Sequence, residues 1–395
     1  MISEKMKKMV ANSSAIRQMF EEGNRMAKLY GKENVYDFSL GNPNLPAPKR
    51  VKEAIIEILN EEDTLVLHGY TNSNAGYMEV RDAVAESLNK RFGTAFLGKN
   101  IIMTVGAAGG LNVALKVLLN PNDEVIVFAP YFSEYRSYVQ NFEGTLIEIS
   151  PNTETFQPKL EEFEEKITER TKAVIVNTPN NPTGVVYSEE TIIRMAEILE
   201  KKQREYGHDI YLLSDEPYRE LVYDGVKVPY LTKYYDNTIV VYSYSKSLSL
   251  PGERIGYVVV PNEVSESEKV ISAMNVANRI LGFVNAPTLQ QKIVQKCLEE
   301  QTDISYYNRN RETLYKGLIE CGFSCIKPEG AFYLFMKSPI EDEKEFCRQA
   351  KEQHILLVPG SSFGCGGYVR IAYCVSYETI VNALPKFKEL AKKYF

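Results

Sequence analysis

Short apolar, β-branched runs alternate with longer amphipathic stretches through the middle of the chain. Runs of this kind predict buried strands, and the amphipathic stretches between them predict helices. Because strands that alternate with helices usually pair in parallel and are covered on both faces, the pattern predicts an α/β fold with a mostly parallel sheet. The predicted strands are Ile101–Val105, Glu124–Phe128, Leu146–Ile149, Ala173–Asn177, Ile210–Asp215, Ile239–Tyr242 and Ile255–Val260.

The N-terminal segment has a different pattern. Residues 1–30 are rich in polar side chains and predict a helical arm, in which residues 12–14 are candidate caps for a helix from Ala15 to about Leu29. Such an arm either contacts a partner subunit or is a simple surface helix. The run from Val35 to Leu40 predicts a short strand that ends in the rigid, proline-rich loop 41–48.

The pattern changes again after about Val284. One helix is predicted from Thr288 to about Glu320, and the short strands and helices that follow it predict a smaller α+β domain. At 395 residues the chain is too long for one small core, which favours a large domain and a smaller one. The predicted division is an N-terminal arm with part of the small domain at residues 1–45, a large domain at 46–285 and the small domain at 286–395.

Composition excludes several classes of protein. A net charge of −6 gives no sign of binding to nucleic acid or to an anionic membrane surface. No apolar run approaches the length that spans a bilayer. The N-terminus carries lysines without an apolar segment behind them, so we expect no secretory signal and a cytoplasmic protein. The six cysteines form no Cys-x-x-Cys pair and the three histidines are scattered, so no metal site is expected.

Two segments at strand ends suit a phosphate. A Gly/Ala-rich stretch follows the strand Ile101–Val105 and opens a helix, where free backbone amides and the helix dipole favour an anion. Two serines and an arginine after the strand Ile239–Tyr242 add hydroxyl donors and a guanidinium group. Taken singly, the first segment is also a tight strand–helix turn and the arginine an ordinary ion-pairing residue. The candidate phosphate ligands are Gly106, Ala107, Ala108, Ser243, Ser245 and Arg254.

Further polar residues lie at the ends of neighbouring predicted strands. Asn181 lies in a proline-flanked loop after one strand, and Asp215 ends the next strand. On its own, this carboxylate is equally a helix cap or a functional acid. Tyr218 can present its hydroxyl to the same place, and Phe132 either stacks on a flat ring or packs in the core. Since ligands of open parallel sheets bind beyond the carboxyl ends of the strands, we expect these side chains to meet there.

Lys246 stands among small hydroxyl residues between two predicted core strands, which is an unusual place for a long cation. Burial lowers the pKa of a lysine and makes it a nucleophilic amine, although on this segment alone a solvated loop lysine is the favoured interpretation. The other candidates add a phosphate site, a carboxylate for a ring nitrogen (Asp215) and donors for a phenolic oxygen (Asn181 and Tyr218). Together with an amine for an aldehyde, these groups describe a site for pyridoxal phosphate.

Seven segments along the chain carry a family resemblance. They are Y-T-N-S-N-A-G at Tyr70, G-A-A-G at Gly106, P-Y-F-S-E-Y at Pro130, N-N-P-T-G at Asn180, S-D-E-P-Y at Ser214, S-Y-S-K-S-L-S-L-P-G-E-R-I-G at Ser243 and Y-V-R-I-A-Y at Tyr368. In this order, with Arg254 eight residues after Lys246, they resemble the class I and II aminotransferases of fold type I, of the aspartate aminotransferase kind. The resemblance covers essentially the whole chain. It implies an α/β fold whose large domain contains a mostly parallel seven-stranded sheet, with a smaller α+β domain beside it.

The resemblance implies a role for each residue around the cofactor. Lys246 would join the cofactor through a Schiff base and shuttle a proton during catalysis. Asp215 would partner the pyridine nitrogen, and Tyr218 would share the catalytic work as a donor to the 3′-oxygen. Asn181 would be the second donor to that oxygen, and Phe132 would stack on the ring.

The resemblance also implies contacts with a partner subunit and with the substrate. Tyr70 matches a residue that reaches the phosphate of the neighbouring subunit, which implies a homodimer with shared active sites. Arg370 matches the arginine that binds the substrate α-carboxylate, with Gly41 passing close by, and a forked guanidinium suits that task. Ala107 and Ala108 would offer the phosphate only their backbone amides.

The reaction implied is a ping-pong transfer of an amino group from an L-amino acid to a 2-oxo acid such as 2-oxoglutarate. Aspartate or glutamate is the favoured donor. Arg279 is either the ligand of their distal carboxylate or a solvated helix residue, and Asn181 would also contact the substrate. Aromatic or broad neutral donors, or a carbon–sulfur β-lyase reaction on the same fold, are the alternatives.

Overall fold

The computed structural model of the protein describes residues 2–11 and 15–395. Its strands are β1 (Tyr36–Asp37), β2 (Ile101–Thr104), β3 (Glu124–Phe128), β4 (Thr145–Ile149), β5 (Thr171–Asn177), β6 (Tyr211–Asp215), β7 (Thr238–Ser243), β8 (Gly256–Val259), β9 (Tyr333–Lys337), β10 (Ile355–Leu356), β11 (Val358–Pro359) and β12 (Tyr368–Ala372). Its helices are α1 (Glu4–Ala11), α2 (Ala15–Tyr30), α3 (Lys49–Glu61), α4 (Thr64–His68), α5 (Met78–Phe92), α6 (Gly106–Leu118), α7 (Glu134–Asn141), α8 (Leu160–Lys166), α9 (Glu189–Tyr206), α10 (Tyr244–Ser247), α11 (Ser267–Ile280), α12 (Thr288–Lys296), α13 (Ile304–Glu320), α14 (Glu343–Glu352) and α15 (Tyr377–Ala391). Within those described ranges, no helix is both long enough and apolar enough to cross a bilayer.

The central sheet has seven strands in the order β2-β8-β7-β6-β5-β3-β4. Strand β8 runs antiparallel to both of its neighbours, and all the other pairs are parallel, so the predicted mostly parallel α/β fold is confirmed. All five residues of β3 are buried, as expected for a strand that helices cover on both faces. The carboxyl ends of β5, β6 and β7 therefore lie side by side at one edge of the sheet.

The two faces of this sheet have different partners. Successive side chains of a strand point to opposite faces, so Val241 and Val258 pack against α6. Tyr242 and Tyr257 point to the opposite face, where they share a core with residues of α3, α5 and α12. The turn that carries Lys246 follows β7 and is accessible from both faces.

The C-terminal part of the chain builds a second core. Strands β11, β12 and β9 form an antiparallel sheet in that order, and β1 pairs in parallel with β10. Phe332, Phe346 and Phe387 are fully buried at its centre. Since β1 comes from the N-terminal segment, that segment is part of this second core. The predicted domain boundaries at residues 45 and 285 stay predictions.

Two helices, α12 and α13, replace the single helix predicted over residues 288–320, so that prediction is wrong. The Asp303 side chain accepts a hydrogen bond from the Ser305 amide and caps the second helix. The Thr302 amide donates to the Ser247 carbonyl oxygen at 2.8 Å, which ties the interruption to the turn that carries Lys246. The interrupting segment contains neither proline nor glycine, so the sequence held no strong stop signal.

Other predicted elements are shorter than expected or were not foreseen. The strand predicted over residues 35–40 is reduced to β1, because only its first residues pair with β10. Helix α11 has no counterpart among the predicted elements. Helix α2 agrees with the prediction, whereas its candidate caps at residues 12–14 lie outside the described residues.

Candidate active site

A cavity of about 280 Å³ opens at the carboxyl ends of the parallel strands. Strands β5, β6 and β7 end beside it, α6 begins beside it, and β9 and β12 reach it from the second core. The structure brings most of the sequence-predicted residues together here. Those that line the cavity are Gly41, Ala107, Ala108, Phe132, Asn181, Asp215, Tyr218, Ser243, Ser245, Lys246, Arg254 and Arg370.

Lys246 extends from α10 into the cavity, and its Nζ donates to the Gly41 carbonyl oxygen at 2.7 Å. No carboxylate forms an ion pair with this amine in the part of the chain that the structure describes. Burial lowers the pKa of Lys246 to about 8, and Cys374 opposes that shift. The guanidinium groups of Arg254 and Arg370 lower the pKa further. A buried lysine with this pKa is partly neutral near pH 7 and can act as a nucleophile or a base.

Asp215 is buried at the end of β6 and has one free oxygen. Its Oδ2 accepts a hydrogen bond from the Tyr135 hydroxyl at 2.5 Å, whereas its Oδ1 has no protein partner. Burial raises the pKa of Asp215 to about 7, although the Tyr135 hydrogen bond lowers it and Glu216 raises it. A buried carboxylate oxygen without a partner is costly, so Oδ1 is suited to a cationic or N–H group of a ligand.

The phosphate-binding candidates meet where α6 begins. Gly106 has a φ of +77°, and a Cβ there would lie 3.0 Å from Arg254 Nη2, so only glycine lets the guanidinium come this close. Ala107 and Ala108 follow in the first turn, where backbone amides have no partner within the helix. The Ser243 hydroxyl oxygen accepts from the Ser245 amide at 3.2 Å. Amides, hydroxyls and a cation therefore surround one end of the cavity.

Arg370 is 1 % exposed and lies at the opposite side, on β12. Its Nη1 donates to Asn181 Oδ1 at 3.0 Å, its Nη2 donates to the Ser39 carbonyl oxygen, and its Nε has no protein partner. Its guanidinium lies over the Tyr333 ring, 4.6 Å from the ring centroid. The backbone N–H of Asn181 donates to Asn177 Oδ1 at 2.8 Å, which fixes the loop after β5. Arg370 is thus held in place while retaining donor capacity for a carboxylate.

Aromatic side chains complete the walls. The hydroxyl oxygens of Tyr218 and Tyr333 lie 2.9 Å apart. A Cβ at Gly41 would collide with the Tyr333 hydroxyl, which explains the glycine where this segment crosses the cavity. The Phe132 ring meets the Tyr135 ring edge to face, with 5.6 Å between their centroids. Phe132 also lines the cavity, and an aromatic ring there suits stacking on a flat ligand ring.

Three sequence-predicted residues do not line this cavity. Gly106 lies beside it, at the start of α6. Tyr70 is 84 % exposed, and Arg279 is exposed in the last turn of α11. Their segments are tied together, because Asn278 Nδ2 donates to the Asn74 carbonyl oxygen at 2.7 Å. The loop that follows Tyr70 therefore contacts the helix that carries Arg279. Within one chain, Tyr70 and Arg279 do not join the other site residues.

The structure adds site residues that the sequence reasoning missed. Asn177 ends an apolar strand in the same way as Asp215, so the strand-end rule could have identified it. Tyr135 lies three residues after Phe132 and could have been identified from that spacing. Tyr138 and Tyr333 gave no such signal, because each looks like an ordinary core tyrosine until the fold brings it to the cavity.

Comparison with protein families supports a single assignment for the chain. A family model described as aminotransferase class I and II matches residues 33–387. Aromatic-amino-acid aminotransferase 2 of Thermococcus litoralis is 32% identical over 396 residues, which cover 97% of each chain. Aspartate/prephenate aminotransferase of Thermus thermophilus is 33% identical over 352 residues, which cover 88% of each chain.

Solved structures share the fold. An amino transferase from Eubacterium rectale superposes with a TM-score of 0.97 at 49% sequence identity, covering 100% of this chain and 99% of the other. Aspartate aminotransferase from Thermus thermophilus with maleate superposes with a TM-score of 0.87 at 29% identity, covering 99% of each chain. The similarity thus extends over both cores and over the cavity between them.

Proposed function

The chain belongs to the class I and II aminotransferase family, and from that premise we propose that it transfers the amino group of aspartate or glutamate to a 2-oxo acid such as 2-oxoglutarate. Members of the family depend on pyridoxal phosphate. The observation that carries the proposal is that Lys246, half-buried and without a carboxylate partner, and the free oxygen of Asp215 line one cavity. We place the protein in the cytoplasm, as its sequence predicts.

The residues present fit pyridoxal phosphate. Asp215 Oδ1, buried without a protein partner, suits a protonated ring nitrogen, and the Lys246 amine suits the cofactor's aldehyde. The aromatic side chain of Phe132, which lines the cavity, suits stacking on the ring. The first-turn amides of α6, with Ser243, Ser245 and Arg254, suit the phosphate. Asn181 and Tyr218 lie on the same cavity and are the donors for the phenolic oxygen.

Bound pyridoxal phosphate supplies an aldehyde that takes up the amino group and a ring that accepts electrons. Lys246 Nζ would hold the cofactor's aldehyde in the resting enzyme and would act as the general base that removes the substrate's α-proton. The lowered pKa of Lys246 makes this possible near neutral pH. Asp215, as a carboxylate, holds positive charge at the ring nitrogen. Tyr218, whose hydroxyl is positioned by Tyr333, stabilises negative charge at the phenolic oxygen.

Arg370 is the ligand that we assign to the substrate's α-carboxylate. Its guanidinium is charged, fully buried and oriented by Asn181 and the Ser39 carbonyl oxygen. A fork of N–H donors fixed in this way binds a carboxylate with a defined direction. The α-carbon is thereby directed toward Lys246. Retention of the carboxylate by this arginine also favours amino transfer over decarboxylation.

In our proposal, a residue of a partner subunit binds the distal carboxylate of the substrate. Lys246, Arg254 and Arg370 already have roles, and no further lysine or arginine lines the cavity in the described chain. Arg279 and Tyr70 are exposed and lie outside the cavity of their own chain. We therefore propose a homodimer in which the partner supplies the cation for a distal carboxylate.

Aromatic donors are the second candidate. Phe132, Tyr138 and Tyr333 line the cavity and favour a flat apolar side chain. The Thermococcus litoralis relative is named for aromatic amino acids, whereas several others are named for aspartate. A carbon–sulfur β-lyase would use the same cofactor contacts but would not need a 2-oxo acid acceptor.

A panel of amino donors tests the proposal. We expect aspartate with 2-oxoglutarate, and glutamate with oxaloacetate, to give the highest kcat/KM. Replacement of Arg279 by alanine should lower kcat/KM for aspartate about tenfold or more and change that for phenylalanine less than about twofold, because only aspartate has a second carboxylate. Arg194→Ala, which removes an exposed arginine from α9, is the matched control.

The panel also separates the alternatives. If aromatic donors lead and Arg279→Ala leaves every donor unchanged, the aromatic assignment replaces the dicarboxylic one. Release of keto acid and ammonia from β-substituted amino acids in the absence of an acceptor would identify the β-lyase.

Replacing Arg370 by glutamine should weaken every amino donor alike. We expect kcat/KM to fall about 100-fold or more for each donor, since a buried charged partner of a carboxylate is lost. Arg370→Lys should recover only part of this loss, because an ammonium group lacks the fork. Arg311→Lys is the control, since Arg311 is also fully buried but pairs with Asp224 in the second core. Equal losses in the Arg311 and Arg370 variants would point to folding and contradict the assignment.

A further inference from the structure

A second cavity, of about 360 Å³, lies on the opposite face of the central sheet from the candidate active site. Tyr242 of β7 and Tyr257 of β8 form its floor, whereas the candidate active site uses the α6 side of the same strands. Helix α5 and the segment that follows α12 form its walls. Its size lies in the range of small-molecule sites, about 300–1,000 Å³. Neither the family reaction nor the cofactor uses it.

Two tyrosine hydroxyls at this cavity have no protein partner. Tyr244 is 6 % exposed and Tyr257 is 4 % exposed, and both line the cavity. Among the described residues, neither hydroxyl makes a hydrogen bond to the protein. A tyrosine hydroxyl can both donate and accept a hydrogen bond, so these two groups are available to a polar group of a ligand in the cavity.

An ion pair between Arg91 and Glu220 lies beside these hydroxyls, and both of its side chains can form further hydrogen bonds. Arg91 Nη2 donates to Glu220 Oε1 at 2.8 Å, and Glu220 Oε2 lies 2.8 Å from the Tyr242 hydroxyl oxygen. The Arg91 guanidinium has five N–H donors and uses one of them here. Each carboxylate oxygen of Glu220 can accept a further hydrogen bond. The pair can therefore take up a carboxylate at Arg91 and an ammonium group at Glu220 at the same time.

The other residues that line the cavity indicate which further groups a ligand would carry. Val84, Leu88 and Leu298 provide an apolar wall. Glu300 stands at the mouth, and no protein cation forms an ion pair with it in the described chain, which favours positive charge there. A ligand with an apolar side chain and two opposite charges matches this lining.

We propose that this cavity binds a free α-amino acid with an apolar or aromatic side chain. The carboxylate is held by Arg91 and the tyrosine hydroxyls, the ammonium group by Glu220 and Glu300, and the side chain by the apolar wall. The site goes beyond the proposed function and does not depend on it. It adjoins the catalytic lysine from behind, because the Tyr242 hydroxyl oxygen also lies 2.8 Å from Ser247 Oγ, in the residue next to Lys246.

A fluorescent reporter at the cavity tests the proposal. The chain contains no tryptophan, so Leu298→Trp introduces a single indole at the apolar wall. We expect titration of this holoenzyme with L-leucine or L-phenylalanine to give a saturable change in tryptophan emission. 3-Methylbutylamine and 4-methylpentanoate, which each lack one charge of leucine, should bind about tenfold more weakly or worse. Absence of a saturable response to both amino acids would overturn the proposal.

Variants in the reporter background assign the response to one of the two cavities. Arg91→Gln should weaken the response about tenfold or more, and Tyr257→Phe should weaken it severalfold without removing a charge. Arg194→Gln, at an exposed ion pair on α9, should leave it unchanged. Arg370→Gln disables the substrate-carboxylate site and should also leave it unchanged. A response that vanishes with Arg370→Gln and survives Arg91→Gln would be active-site binding and would refute the second site.

Discussion

Lys246→Ala should abolish transamination, with kcat falling about 10⁴-fold or more, because one side chain serves as both covalent anchor and general base. The variant should still bind pyridoxal phosphate through the phosphate and ring contacts, which do not involve this amine. We expect borohydride reduction of the wild-type holoenzyme to attach the cofactor to the peptide that contains Lys246, and the variant to show no attachment. Mass spectrometry of the digested protein measures this directly.

The surroundings of Lys246 explain why no other lysine can replace it. Its amine is buried, lacks a carboxylate partner and has a pKa lowered to about 8. Lys292 is also buried, but its Nζ lies 3.1 Å from Glu62 Oε1 and 3.0 Å from Glu79 Oε1. The two carboxylates keep that amine charged, and the pKa of Lys292 is raised although burial opposes the shift. A charged amine is neither a nucleophile nor a base.

Lys292→Ala is therefore the matched control. It removes a buried lysine of the same length and should reduce stability while leaving kcat within about threefold of the wild type. If Lys246→Ala kept measurable turnover, or if the two variants lost activity equally, Lys246 would not be the catalytic amine. Activity restored to Lys246→Ala by added small amines would support a missing base rather than a misfolded site.

The central residues of the site could be predicted because they interrupt strong patterns. Asp215 ends an apolar strand, Lys246 stands between two such strands, and both lie where parallel strands end. In a sheet of this kind those ends meet, so strand order need not be known to expect a common site. The same reasoning predicted the phosphate end at Ala107 and Ala108. The residue types and the expected sheet topology therefore predicted the same site.

The remaining contacts could not be predicted because they depend on packing between distant segments. Tyr333 comes from the second core and reaches Tyr218 across 115 residues of sequence. The break between α12 and α13 contains no proline or glycine, and it combines the local Asp303 cap with a hydrogen bond from Thr302 to the distant Ser247. Arg279 and Tyr70 fall outside the cavity of one chain, and the homodimer that we propose would account for their position. Each of these depends on tertiary or quaternary geometry that local pattern does not encode.

The residues that surround Asp215 influence whether its side chain is protonated. Directly behind it, Glu216 and Arg219 form an ion pair that is almost fully buried. The Arg219 guanidinium lies between two aromatic rings, 5.1 Å from the Phe92 centroid and 4.9 Å from the Tyr230 centroid. Burial together with Glu216 favours the protonated acid of Asp215, and only the Tyr135 hydroxyl favours its carboxylate. The ligand's own positive charge must therefore complete the ionisation.

Asp215→Asn should reduce kcat about 10²- to 10³-fold, since the charge that supports a protonated ring nitrogen is lost from a buried site. Tyr135→Phe should give a smaller loss, about tenfold, because it removes one hydrogen bond to a charged group and leaves the carboxylate in place. Steady-state kinetics with saturating cofactor measures both. Equal losses in the two variants would mean that Tyr135 acts on the reaction independently of Asp215.

The cofactor-free protein provides a test of Asp215 that does not rely on activity. In the folded chain the pKa of Asp215 is raised from 3.8 to about 7, so the folded state keeps a proton that the unfolded chain has already released. This carboxyl therefore contributes stability at low pH that is lost as the pH rises from about 4 to about 7. An asparagine side chain does not titrate, so we expect Asp215→Asn to be more stable than the wild type at about pH 8, with the difference shrinking toward about pH 4. Urea unfolding across this range measures it.

Added pyridoxal phosphate should reverse this difference in stability between the wild type and Asp215→Asn. A cation beside Oδ1 converts the ionised Asp215 from a destabilising group into a stabilising one, so the cofactor should raise the unfolding midpoint of the wild type more than that of Asp215→Asn. Asp209→Asn, which changes an acid between α9 and β6 outside the cavity, controls for the loss of a charge. A wild-type protein that gained no more from the cofactor than Asp215→Asn would show that Oδ1 does not meet the ring nitrogen. In that case Asp215 Oδ1 would lack a partner in the folded chain without being a contact for the cofactor.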